Sequence, residues 1–181
     1  RGRCIARRYL ITNGFDGALT MLGMVTGFYT SGMTELSVAI SACLGAAIAL
    51  FISGLSSAYL SEKAEREKEL RELEQALLVD LKESDYGQAS RYLPMLVALV
   101  NGLSPLLLSL VILLPLFFAE QCHALPSSPF INAIVVALLR IFSLGVYLGK
   151  ISKTSWLWSG LRTLIIAIVT VALIRCFGRS I

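Results

Sequence analysis

Charged residues are scarce in this sequence, and their scarcity argues against an ordinary soluble domain. Only 15% of the 181 residues are charged, whereas 56% are hydrophobic, and the mean hydropathy is +0.74. This balance is typical of a polytopic helical membrane protein. At about 20 residues per crossing, the chain has room for five transmembrane helices and one modest element outside the bilayer.

Motifs for catalysis and for closed metal sites are also missing. The sequence has one histidine, no HExxH pattern, no phosphate-binding loop and no paired nucleophile and base. Its four cysteines are scattered, so no disulfide framework is predicted. The histidine, His123, stands beside Cys122 in a short loop that cannot supply a closed metal site. We therefore expect a protein that is not an enzyme and has no permanently bound cofactor.

The charges that are present do not predict a nucleic-acid partner, although the net charge is +4. Basic residues flank the apolar stretches, and nine of the twelve acidic residues lie between Glu62 and Asp85 with basic residues among them. No small-residue cleavage site follows the first apolar stretch, so no cleavable signal peptide is predicted. The expected partner is a lipid bilayer.

The apolar runs predict an all-α membrane protein with five transmembrane helices. The spans cover about 9–30, 36–58, 93–118, 130–149 and 159–177. We divide the chain into 1–59 with the first two spans, 60–91 as a charged helical segment, and 92–181 with the last three. Together they are expected to form one membrane domain.

The second span is expected to continue into water as one long helix. No proline or glycine follows Tyr59, and the residues from there to Asp85 are mostly strong helix formers. Leucines recur along one face of this acidic amphipathic segment, which predicts either a solvated helix or docking on a second copy. Tyr86-Gly87-Gln88 is expected to break the helix, and Pro94 is expected near the start of the third span.

Asp16 is the most informative residue, because it lies inside the first apolar stretch. A carboxylate in hydrocarbon costs at least a few kcal/mol, so it is expected to face a protein interior or a wet path. Its neighbours Asn13, Gly14, Gly17 and Thr20 are small or polar. We interpret Asp16 as a cation or proton site around which the other helices are arranged.

Polar residues in two other spans are candidates for the same site. Arg140 lies near the middle of the fourth span and needs a partner, for which Asp16 is one candidate. The third span contains Asn101 near its middle, and Pro105 either kinks that helix or frees a carbonyl ligand. Met24 in the first span supplies either a soft thioether ligand or core packing.

The distribution of lysine and arginine predicts the orientation. With the N-terminus inside, the inner side carries the four arginines before residue 9, the basic residues between 60 and 91, and Lys150 and Lys153. The outer loops at 31–35 and 119–129 carry none, and only Arg175 and Arg179 fall on the outer side. The N-terminus and the charged helix are therefore expected to be cytosolic.

With these residues in view, the sequence resembles the vacuolar iron transporter family, whose members move ferrous and manganous ions. The resemblance rests mainly on Asn13-Gly14-Phe15-Asp16-Gly17 and on Ser159-Gly160-Leu161-Arg162. It also includes Gly23 with Gly27, and Asn101-Gly102-Leu103-Ser104. It departs from the family pattern at Ala58, where the family has a glutamate, and the charged segment is shorter.

The resemblance implies proton-coupled export of Fe²⁺ or Mn²⁺ from the cytosol by a homodimer. Asp16 takes the place of the family's ion-path aspartate between two protomers. The implied path consists of Asp16, Asn13, Thr20, Met24, Asn101 and Arg140. The implied metal ligands are Asp16 and, in the charged segment, Glu65, Glu69, Glu72, Asp80 and Glu83, whose carboxylates would gather ions before transport.

A non-transporting membrane protein of the same fold is the alternative. In that hypothesis the protein is a scaffold or metal sensor that acts through its cytosolic helix, and Asp16 only pairs with Arg140.

Overall fold

The computed structural model describes residues 2–81, 83–121 and 128–178, which form five α-helices with no strand in those ranges. The helices are α1 (Gly2–Thr30), α2 (Leu36–Leu77), α3 (Asp85–Gln121), α4 (Pro129–Ile151) and α5 (Trp156–Gly178). Each predicted span lies within one of these helices, so the all-α fold class is confirmed.

Four of the helices, α2 to α5, are long and apolar enough to cross a membrane. Their most apolar windows have a mean hydropathy of 2.1 to 2.3. Large apolar side chains such as Ile48, Leu107 and Ile165 are exposed on their outer faces, which fits contact with lipid. α1 is not in this group, because Asn13, Asp16 and several threonines and glycines lower its hydropathy.

α1 lies in the middle of the bundle, although it carries more polar and small residues than α4 or α5. It packs against α3, α4 and α5, and its contacts with α2 are few. Ala18, Met21, Leu22 and Val25 on its inner faces are completely buried. They meet Ile112, Leu113 and Leu116 of α3 and Ala137 and Ile141 of α4 in a single core.

α2 is one continuous helix from the apolar stretch into the charged stretch, but it ends earlier than predicted. The predicted helix to Asp85 is wrong beyond Leu77, since Leu78 adopts the left-handed conformation with φ 53°. A chain reversal follows, in which the Leu81 N–H donates to a carboxylate oxygen of Glu74 at 3.1 Å. This reversal allows the next helix to return along α2.

α3 begins at Asp85, which corrects the prediction that Tyr86-Gly87-Gln88 breaks a helix. The Ser84 hydroxyl accepts a hydrogen bond from the Gly87 N–H at 3.1 Å, a typical N-cap interaction. The sequence 86–88 is therefore the first turn of α3. Pro94 is an interior residue rather than an early one, as are Pro105 and Pro115.

α4 and α5 approach each other closely through glycines. A Cβ at Gly149 would stand 2.8 Å from the Ser159 Cβ, and a Cβ at Gly145 would collide with the Thr163 side chain. Small residues of this kind are common where membrane helices pack.

Candidate functional site

The polar residues of α1 share one side of the helix, and this side is open in the single chain. Asp16, Thr20, Gly23 and Gly27 recur at three- and four-residue steps, so they lie along one face. Asp16 is exposed, whereas Thr20, Gly23 and Gly27 are half-buried. We call these four residues the open stripe of α1.

Asp16 lies at the mid-depth of the apolar stretch of α3. Its neighbour Gly17 packs directly on Pro105, where a Cβ on Gly17 would stand 2.7 Å from the Pro105 Cα. Pro105 is midway between Arg91 and Glu120, the charged residues that bound the uncharged stretch of α3. The carboxylate is thus far from either end of the apolar stretch.

The exposure of Asp16 differs from the expectation that the other helices of the same chain surround it. The sequence suggested that the other helices enclose this residue. Instead α3, α4 and α5 pack mainly on the other faces of α1, because those faces carry its large apolar side chains, and Ile174 of α5 reaches the edge of the stripe at Gly23. Asp16 is left on the uncovered side of the single chain.

A polar cluster beside the open stripe joins α1, α2 and α3. The Asn101 side chain is buried, and its Nδ2 donates to the Gly54 carbonyl oxygen of α2 at 2.6 Å. The Asn13 Nδ2 donates to the Asn101 carbonyl oxygen at 3.5 Å. The Oδ1 atom of Asn101 is buried and has no hydrogen-bond partner among the described residues. The structure therefore brings Asn13 and Asn101 together, one helical turn from Asp16.

Ser104 is a member of this region to which the sequence assigned no role. Its hydroxyl donates to the Leu10 carbonyl oxygen of α1 at 2.6 Å. The contact aligns α1 beside α3 at the level of the asparagines. Its position three residues after Asn101 was the available signal.

Arg140 does not pair with Asp16. Both side chains are exposed, and no ion pair joins them in the part of the chain that the structure describes. Asp16 was one candidate partner for Arg140, and the two residues do not pair within one chain, since each lies on an uncovered side of its own helix. Met24 is half-buried and packs against the core, which supports the packing interpretation of this residue.

The predicted metal-gathering residues lie on the charged part of α2 and in the reversal after it. Glu65, Glu72, Asp80 and Glu83 are exposed, and Glu69 is half-buried. Glu72 is 3.9 Å from Lys68, and Glu69 is 2.6 Å from Arg66. Within the described ranges, no three His, Cys, Asp or Glu side chains come together as a metal site. Cys122 and His123 lie outside the described residues.

Arg66 organises the acidic side chains near the end of the apolar stretch. Besides Glu69 it contacts Glu62 at 3.8 Å, and the Tyr9 hydroxyl of α1 donates to Glu62 at 3.4 Å. The Tyr86 hydroxyl of α3 donates to Glu69 at 3.4 Å. This network attaches the charged part of α2 to both α1 and α3.

The helices and the apolar outer surface define the class: the chain is a multi-pass helical membrane protein. It belongs to the same family as an uncharacterized protein, MJ0645, of the archaeon Methanocaldococcus jannaschii. The two sequences are 34% identical over 173 residues, which cover 94% of this chain and 86% of that protein. No protein-family model matches the chain.

Proposed function

We propose that the protein is a homodimeric transporter of divalent cations, Fe²⁺ or Mn²⁺, that exports them from the cytosol in exchange for protons. The observation that carries the proposal is the carboxylate of Asp16, which lies at the mid-depth of the apolar stretch on the uncovered side of α1. The likeness to vacuolar iron transporters in the sequence around Asp16 supplies the ion class.

In this proposal α1 is a fifth transmembrane helix. Its 29 residues give a helix of about 44 Å, longer than the hydrocarbon core of about 30 Å. It lies beside α3 through Leu10, Gly14 and Gly17, which contact Ser104, Leu108 and Pro105. Because its apolar faces are covered by other spans, α1 needs less apolar surface than they do.

A second copy of the chain is the proposed cover for Asp16. A central aspartate facing lipid costs about 2.5–3.5 kcal/mol on insertion scales. The open stripe carries small residues toward the same side. A Cβ at Gly27 would meet none of the described residues within 4 Å, and a Cβ at Gly23 would stand 3.5 Å from the Ile174 side chain of α5, an ordinary van der Waals contact. Small residues with this spacing favour close approach of a second membrane helix. Two open stripes facing each other would bring two carboxylates together.

The chemistry of the stripe suits hard or borderline cations. Carboxylate and amide oxygens bind manganous and ferrous ions well, and a carboxylate can also carry a proton. The Oδ1 atom of Asn101, for which the described part of the chain offers no hydrogen-bond partner, is a further acceptor near this path. Asp16 would alternate between a metal-bound and a protonated state, which couples the two fluxes.

The orientation in the proposal follows from the lysine and arginine counts, with the N-terminus and the charged part of α2 in the cytosol. The exposed carboxylates of Glu65, Glu72, Asp80 and Glu83 would raise the local cation concentration there. Glu69 would take part only if an ion displaced Arg66 from it.

Metal-dependent proton flux in proteoliposomes with an internal pH dye tests the proposal. We expect Asp16→Asn to abolish the flux while the protein remains folded and inserted. Glu35→Gln is the matched control, since it removes one carboxylate at the N-terminal end of α2 and should leave the flux unchanged. Flux in Asp16→Asn equal to that of the unmodified protein would eliminate the mechanism.

A scaffold or metal sensor remains the second candidate, and one observation favours it. Glu62, Glu67, Glu69 and Glu72 are engaged in ion pairs with basic residues of the same helix. A helix neutralised in this way presents a mixed-charge surface suited to a partner protein. Absence of flux for every divalent cation tested, with the protein correctly inserted, would favour this function.

A further inference from the structure

We propose that a cavity between the charged part of α2 and the first turns of α3 binds a phosphate-bearing anion through Arg71 and Arg91. The cavity has a volume of about 500 Å³. Tyr59, Leu70 and Pro94 supply apolar lining. The remaining polar lining consists of Lys63, Arg66, Ser90 and the carboxylates of Glu67 and Glu74. The proposal does not depend on the proposed transport function.

Two of the guanidinium groups that line the cavity, those of Arg71 and Arg91, form no ion pair with a described carboxylate. Lys63 is 3.9 Å from Glu67, and Arg66 is held by Glu62 and Glu69. Glu74 accepts the Leu81 N–H. Arg71 and Arg91 have no ion pair among the residues that the structure describes, although both line the cavity.

The two arginines are close enough to act on one ligand. α2 and α3 run antiparallel, with Glu69 opposite Tyr86 and Gly54 opposite Asn101. This register places Arg91 about 10 Å from Arg71 along the helix axes. Two extended arginine side chains from opposite walls can bridge that separation around a bound anion.

Phosphate is the anion that this arrangement fits best. Guanidinium groups bind phosphate oxygens through paired, charge-assisted hydrogen bonds. Four basic side chains, Lys63, Arg66, Arg71 and Arg91, line the cavity against two carboxylates, Glu67 and Glu74, and this excess of positive charge favours an anion over a divalent metal ion. The Ser90 hydroxyl already donates its proton to the Tyr86 carbonyl oxygen, so the arginines and Lys63 are the donors to the anion.

The position of the cavity suggests one source for the phosphate. Tyr59 and Pro94 adjoin the uncharged stretches of α2 and α3, where a lipid headgroup would lie. Basic pockets at this level commonly hold anionic lipid headgroups. A soluble phosphate compound shares the same chemistry, so the test must separate the two sources.

Binding to the purified full-length chain in detergent tests the proposal, with three probes: short-chain phosphatidylglycerol, short-chain phosphatidylcholine and inorganic phosphate. The test variant is Arg71→Gln with Arg91→Gln. The matched control is Lys68→Gln with Arg175→Gln, which removes the same charge from exposed residues that do not line the cavity. We expect at least about ten-fold weaker phosphatidylglycerol binding in the test variant and no comparable loss in the control.

Each outcome has a defined meaning. Arginine-dependent binding of phosphatidylglycerol alone supports a lipid headgroup, and arginine-dependent binding of inorganic phosphate supports a soluble compound. Equal affinities in the test variant and the control, for both anionic probes, overturn the proposal. Helicity by circular dichroism checks folding. If the double variant does not fold, the single variants decide, and unchanged affinity in both overturns the proposal.

Discussion

Gly17 and Pro105 are in direct backbone contact, so that a Cβ on Gly17 would stand 2.7 Å from the Pro105 Cα and 2.9 Å from the Pro105 carbonyl oxygen. This contact fixes the rotation of α1 about its own axis. With Gly17 against α3, the preceding residue Asp16 points away from α3 toward the open side. The orientation of the only acidic residue of α1 thus depends on a glycine beside it.

The contact predicts that Gly17→Ala destabilises the protein. The new methyl group would collide with backbone atoms, which cannot move as a side chain can, and we expect a loss of about 1–3 kcal/mol in the free energy of unfolding. Gly45→Ala is the control, because a Cβ there meets nothing within 4 Å. Unfolding in SDS followed by circular dichroism measures both. Equal stabilities of the two variants would contradict the contact.

Asn101 and Asn13 should contribute unequally to stability. Asn101→Ala removes a 2.6 Å bond to the Gly54 carbonyl oxygen, and we expect a loss of about 1–2 kcal/mol. Asn13→Ala removes only a 3.5 Å contact, and we expect a loss below about 0.5 kcal/mol. The same SDS titration compares them. A larger loss of stability for Asn13→Ala than for Asn101→Ala would contradict the hydrogen bonds described for this cluster.

Arg66 should hold the charged part of α2 against its neighbours. The Arg66 side chain is 16% exposed and contacts both Glu62 and Glu69, so Arg66→Gln leaves two carboxylates without their cation. We expect amide hydrogen exchange across 62–90 to rise about five-fold or more.

Lys68→Gln is the matched control for Arg66→Gln. Its ion pair with Glu72 is 3.9 Å long, and both side chains are well exposed, so its contribution is close to zero. We expect exchange within about two-fold of the unmodified protein. An equal rise in both variants would mean that Arg66 has no special structural role.

Arg140 should be dispensable for the proposed transport. Because no ion pair joins it to Asp16 among the described residues, we expect Arg140→Gln to retain metal-dependent proton flux within about two-fold. For the same reason, Asp16→Arg combined with Arg140→Asp should not restore flux. Restoration by this charge exchange, measured in proteoliposomes, would instead establish that the two residues pair in the assembled protein.

The helix positions could be predicted from the sequence because hydropathy is summed over many residues. All five predicted spans lie within observed helices. The reversal between α2 and α3 could not be placed, since it depends on a left-handed leucine, Leu78, and on a cap from Ser84. Leucine is not a turn signal, and serine is a common N-cap residue whose many occurrences in this sequence do not single out position 84.

In the candidate site, too, some features could be predicted from the sequence and others could not. The sequence identified Asp16, Asn13 and Asn101 by their polarity within apolar stretches, and the structure joins the two asparagines. The sequence did not identify the cavity of Arg71 and Arg91. These two residues lie twenty positions apart in the chain and resemble ordinary charged residues that flank a transmembrane helix. Only the antiparallel packing of α2 on α3 brings them to one cavity.

The sequence by itself determined that the chain forms apolar helices and that one of them contains a carboxylate. These properties depend on side-chain polarity and on helical periodicity, which are local. The tertiary structure alone decided which faces of α1 are covered and that Asp16 lies on its uncovered side. That outcome depends on which faces of α1 carry the large apolar side chains and on how closely Gly17 allows α3 to approach.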